Sequence, residues 1–100
     1  MTLQIVRAGV KPGNAADVEA AITKVFAALS ELQPTGLRYA SLRVADDSYL
    51  ILLEVADGTE NPLPSIAAFQ DFQAGLRGWL SGAPVIEDAE VIGSYRVLPD

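Results

Sequence analysis

The residues best suited by type to do chemistry are Tyr39 and Glu54, each inside a run of strand-like sequence. If those two runs fold back on each other as a hairpin, the phenol and the carboxylate meet across it. A carboxylate shielded from water holds its proton more tightly and acts as a base, and a phenol beside it orients a substrate oxygen. The alternative role for the pair is structural, as a hydrogen bond at an interface or an ion pair of Glu54 with an arginine. Arg43, with Arg7 and Arg96, offers a guanidinium to an anionic substrate or to such acids. Phe72 and Trp79, with Phe69, recur at helical spacing, and Tyr95 lies on a later alternating run. These aromatics either wall a site for a planar ligand or fill the core.

What the chain lacks narrows the chemistry further. Its 100 residues contain no histidine and no cysteine. That removes histidine-based triads, cysteine nucleophiles, disulfides, and zinc or haem held by those side chains. Seven Lys+Arg against thirteen Asp+Glu give a net charge of −6, which argues against nucleic acid or an anionic membrane as partner. The acids Asp46, Asp47, Asp57 and Glu60 lack the regular spacing of a calcium loop and read as solvated surface, so no metal is expected. Met1 to Val10 alternates instead of forming an apolar leader, and no apolar run approaches the ~20 residues of a membrane span. A cytoplasmic protein is the expectation, folded as a single domain over residues 1–100.

The elements that must position these residues follow from periodicity. Leu3 to Val10 alternates and ends at Lys11-Pro12-Gly13, reading as a strand and turn. Asn14 is suited to cap a helix, and Val18, Ile22, Val25, Leu29 and Leu32 recur at spacings of three and four until Pro34 and Gly36 stop it. Leu37 to Val55 holds two strands around Ala45-Asp46-Asp47-Ser48. A loop of even length sets Tyr39 opposite Glu54, Ser41 opposite Leu52 and Arg43 opposite Leu50. Ala56 to Pro64, rich in turn formers and acids, reads as a mobile loop and a possible lid. Ile66 to Leu80 forms a second amphipathic helix, interrupted by Gly75 and Gly78. Ala89 to Leu98 alternates again and is expected as the last strand.

The order βαββαβ predicts a ferredoxin-like α+β fold, a four-stranded antiparallel sheet with both helices on one face. Leu50 and Leu52 then fall on the face the helices leave open. An uncovered apolar sheet face marks an interface, here between two copies meeting sheet to sheet.

From Thr2 to Leu98 the chain resembles the dimeric α+β barrel superfamily, and within it the antibiotic biosynthesis monooxygenase-like domains. The resemblance is carried by the long helix after Asn14, the strand Tyr49-Leu50-Ile51-Leu52-Leu53-Glu54-Val55, the segment Ala68-Phe69-Gln70-Asp71-Phe72 and the terminal Ser94-Tyr95-Arg96-Val97-Leu98. Family members often carry an aromatic residue two positions after the strand glutamate and a histidine in the second helix. This chain has Ala56 and no histidine, which excludes the haem-degrading branch. The resemblance implies a homodimer that binds a small apolar or aromatic molecule, with oxidation by O₂ that needs no cofactor as the chemistry available to such a site. A ligand-binding or assembly module without catalysis is the alternative on the same fold.

Overall fold

In a computed structural model that describes residues 2–45 and 47–97, the alternating start of the chain is strand β1, Thr2–Gly9. Helix α1 spans Ala15–Leu32, β2 Leu37–Val44, β3 Ser48–Val55, α2 Ala67–Trp79 and β4 Val85–Glu90, with one 3₁₀ turn at Leu63–Ser65 before α2. The strands form one antiparallel sheet in the order β2-β3-β1-β4. This is the expected ferredoxin-like α+β order. Among the described residues no helix is long and apolar enough to cross a membrane.

Asn14 occupies the position before α1, but its side chain makes no capping bond and instead donates to Oδ2 of Asp17 at 2.9 Å. The helix ends where Gln33 turns left-handed at φ 45° and its N–H reaches the Leu29 carbonyl at 2.8 Å. Pro34 then prevents continuation.

The hairpin differs from the sequence-based register by one residue. Val44 pairs with Ser48, so the loop has three residues, and Arg38 stands opposite Glu54, Tyr39 opposite Leu53 and Arg43 opposite Tyr49. The loop opens on Ala45, whose backbone is left-handed at φ 59°. Alanine seldom adopts that conformation, so its type gave no warning. Asp46 lies outside the described residues. Because side chains alternate, the one-residue slip puts Tyr39 and Glu54 on opposite faces of the sheet.

The last strand also differs. It is Val85–Glu90, not Ala89 to Leu98, and Val91–Val97 forms no regular element. Leu98 lies outside the described residues. The acids Glu87, Asp88 and Glu90 make this segment look like surface loop, but β4 is an edge strand, where charges are tolerated and discourage pairing with other chains. Glu87 meets Arg7 across the pair at 3.9 Å.

Tyr39 identifies the inner face of the sheet, since its ring meets Phe26 of α1 at 5.4 Å and Phe69 of α2 at 6.4 Å. The register places Gln4, Val6, Ala8, Tyr49 and Ile51 on the same face. They pack towards Val18 and Val25 of α1 and Phe72 of α2, the buried centre of the core. The far end of α2 is tied to β1, because Lys11 N–H bonds the Trp79 carbonyl at 2.8 Å and Ser81 N–H bonds the Gly9 carbonyl at 3.0 Å. Within α2, a Cβ on Gly75 would collide with the Trp79 ring, while one on Gly78 would meet open space.

The segment from Ala56 to Pro64 is held at several points. Ala56 N–H bonds the Gly36 carbonyl at 2.8 Å, and Leu63 is 0% exposed. Burying that leucine stabilises the fold by roughly 1.5–3 kcal/mol. The opposite face of the sheet carries Leu3, Ile5, Leu42, Leu50 and Leu52 with Ala40, and neither helix covers it.

Candidate functional site

Between the inner face of the sheet and the two helices lies a cavity of about 280 Å³. It is a slot that crosses all four strands. Ile86 of β4, 60% exposed, and Pro84 stand at one end, Val6, Ala8, Ile51 and Tyr49 form the floor, and Tyr39 of β2 closes the other end. Val18 and Ile22 of α1 and Phe69, Phe72 and Leu76 of α2 make the roof, with Asn61 and Pro64 from the segment before α2. The strand periodicity of two and the helix periodicity near 3.6 place these residues together, since each element turns its apolar side to the same space.

Among the described residues that line the slot none is charged; its polar groups are the amides of Gln4, Asn61 and Gln73 and the phenol of Tyr39, with Tyr49 contributing its ring. Burial pushes the Tyr39 hydroxyl above the ordinary tyrosine value, with the Ser41 hydroxyl beside it pulling the other way. The phenol therefore stays protonated at neutral pH and is a hydrogen-bond donor. Ser41 Oγ is itself buried without a hydrogen bond of good geometry. Tyr49 lies in the core, and its hydroxyl donates to Oε2 of Glu19 at 2.7 Å, away from the slot and at the protein surface. Burial raises its pKa, the Glu19 hydrogen bond and charge add to the rise, and Arg43 opposes it.

An apolar space with a few amides and a phenol in its lining is suited to hold a small molecule.

The structure brings together only part of the set picked out by residue type. Tyr39 and Phe72 line the slot. Trp79 packs on the core with its ring against Gly75, outside the lining. Arg43 pairs with Glu19 at 3.0 Å on the inner-face margin. Glu54, 8% exposed, sits on the open face with Arg38 at 3.6 Å, an ion pair with a different arginine and the structural role weighed for it. Tyr95 is 81% exposed beyond β4, with the Arg96 guanidinium over its ring at 5.3 Å. Gln4, Asn61 and Gln73 were not picked out as site residues. Gln4 and Gln73 could have been found as the polar members of the Val6/Ala8/Val10 strand face and of the Phe69/Phe72/Leu76 helix side; Asn61 carries no such signal. Among the described residues no group of three or more acids comes close enough to hold a metal ion.

Compared with protein families and with curated proteins, the sequence matches none. Solved structures match its fold along nearly the whole chain. A protein of unknown function from Nitrosomonas europaea superposes with a TM-score of 0.74 at 19% identity, covering 99% of this chain and 94% of its own. A proposed antibiotic biosynthesis monooxygenase from Caulobacter crescentus gives 0.71 at 22% identity, covering 92% and 90%. A second such protein from Nitrosomonas europaea gives 0.70 at 18% identity, covering 93% and 100%. The chain therefore shares the fold of antibiotic biosynthesis monooxygenase-like domains.

Proposed function

We propose that this protein, built on that fold, binds a small, neutral, apolar or aromatic molecule in the slot between sheet and helices, as a homodimer whose subunits meet through their open sheet faces. The observation that carries the binding reading is the lining: about 280 Å³ walled by aliphatic and aromatic side chains, with amide and phenol donors and, among the described residues, no charged group. A charged ligand would lose its hydration there with no counter-ion to compensate, which costs several kcal/mol. A neutral ring bearing one hydroxyl or carbonyl loses little and gains a hydrogen bond.

Supporting the dimer are the cross-strand pairs Leu42 with Leu50, Ala40 with Leu52 and Ile5 with Leu52, which make a continuous apolar surface. Beyond β4, Val91, Val97 and Ile92, the last 98% exposed, add further apolar area that a lone chain leaves in water.

Oxidation of a phenol by O₂ without a cofactor is the second reading, favoured by Tyr39. Its protonated hydroxyl at the slot's end is placed to donate to an oxygen on which charge develops. Glu54 lies across the sheet from that hydroxyl, so the two do not act on one molecule in a single slot. Binding without turnover accounts for more of the lining than catalysis does.

Calorimetric titration with 1-naphthol and with 1-naphthoate at neutral pH tests the reading. The neutral naphthol is expected to bind at one site per chain, at least ~10-fold more tightly than the anion. Equal or reversed preference would contradict a neutral-ligand slot.

A further inference from the structure

Beyond the slot's closed end lies a second space. A groove of about 270 Å³ runs between the C-terminal half of α1 and the start of β2, lined by Phe26, Leu29, Ser30, Gln33, Pro34 and Leu37. Tyr39 is the one residue, among those described, that lines both the groove and the slot. Its ring stands between Phe26, which faces the groove, and Phe69, which faces the slot, and Phe69 continues to Phe72 at 6.2 Å. An unbroken aromatic row therefore passes from the outer groove into the inner cavity with Tyr39 in the middle.

We propose that Tyr39 is the specificity-determining end wall of the ligand site: it fixes the greatest length of molecule the slot accepts, and a smaller side chain at this position joins slot and groove into one longer site for elongated apolar molecules. The inference rests on reading the slot as a ligand site. The slot runs from the exposed Ile86 on one edge strand to Tyr39 on the other, and three strand spacings make this roughly 14 Å. A ligand entering at β4 lies across the strands, so added length is directed at the Tyr39 ring. Among the described residues no strand lies beyond β2, and the space behind the ring is open groove, not packed core. Removing the ring therefore uncovers room, where truncation at most core positions leaves only a closed void.

A series of straight-chain 1-alkanols, measured by displacement of 1-naphthol, reads the length directly. Each methylene that enters the slot raises affinity about fourfold, and the rise stops when the chain end meets a wall. For the wild-type protein and Tyr39→Phe the series is expected to plateau at the same chain length. In Tyr39→Ala the plateau moves to longer alkanols by two or more methylenes, so the longest bind at least ~10-fold tighter than to wild type. Adding Ser30→Trp, which plugs the groove from outside, moves the plateau back. If Tyr39→Ala does not fold, Tyr39→Leu serves the same comparison. A plateau unchanged by the smaller side chain, in a protein that still binds short alkanols, overturns the end-wall assignment and leaves the ligand site standing. Failure of every alkanol and of 1-naphthol to bind wild type overturns both.

Discussion

The Tyr49 hydroxyl and the Glu19 carboxylate are 2.7 Å apart, joining the start of β3 to the first turns of α1 through the same oxygen, Oε2, that Arg43 approaches at 3.0 Å. The Tyr49 ring is buried and its bond to Glu19 is part-buried, whereas the Arg43–Glu19 pair is about half exposed. The two bonds to one oxygen should therefore differ in worth. Tyr49→Phe is expected to lower stability by about 1.5–3 kcal/mol, the range for a hydrogen bond to a charged acceptor. Arg43→Ala is expected to cost about 1 kcal/mol or less, because an exposed ion pair is screened by solvent. Urea denaturation of the two variants checks this, and a larger loss for Arg43→Ala would show the ion pair to be the stronger tie.

Alkaline pH should weaken the fold through the same phenol and through Tyr39. Burial raises both pKa values above about 10 in the folded chain. The folded state then holds these protons more tightly than the unfolded state. Their contribution is fully present below the unfolded pKa near 10 and is lost as pH rises through the folded values. The urea midpoint is expected to fall above pH ~10, and to fall less in Tyr39→Phe than in wild type. An identical alkaline decline in the two proteins would remove Tyr39 from this account.

The two glycines of α2 separate close packing from spare helix entropy. Gly75→Ala must displace the Trp79 ring, so it should destabilise by about 1–3 kcal/mol and shift the fluorescence of the sole tryptophan. Gly78→Ala meets no atom and should stabilise by about 0.5–1 kcal/mol through helix propensity alone. Opposite signs in thermal melts are the expected result.

Leu52→Asp addresses assembly. Leu52 sits between Ile5 and Ala40 on the open face. Burying an unpaired carboxylate between two sheets costs several kcal/mol. Light scattering at micromolar concentration should give a dimer for wild type and a monomer for the variant. A wild-type monomer would show that the open face has another use.

The element order was legible because it depends on periodicity that survives single-residue errors. Val18, Val25 and Phe72 fall in the core as their spacing requires. The site was less legible because it depends on register. A loop of three residues where an even number was expected puts Glu54 on the far side of the sheet from Tyr39, and nothing in the alanine that opens it announces its left-handed backbone. The acids of β4 hid a strand whose pairing with β1 is made by backbone, and the alternating residues after it imitated one. Asn61 reaches the slot because the buried Leu63 anchors its segment, a tertiary effect with no local signature.

The central claim, that the space between sheet and helices is the ligand site, is tested most directly by amide and side-chain chemical-shift mapping with 1-naphthol. The account predicts that the shifts gather on Ile51, Phe72, Leu76 and Tyr39, which surround the slot. Shifts gathered instead on Leu50 and Leu52 of the open face, with the slot residues unmoved, would contradict it.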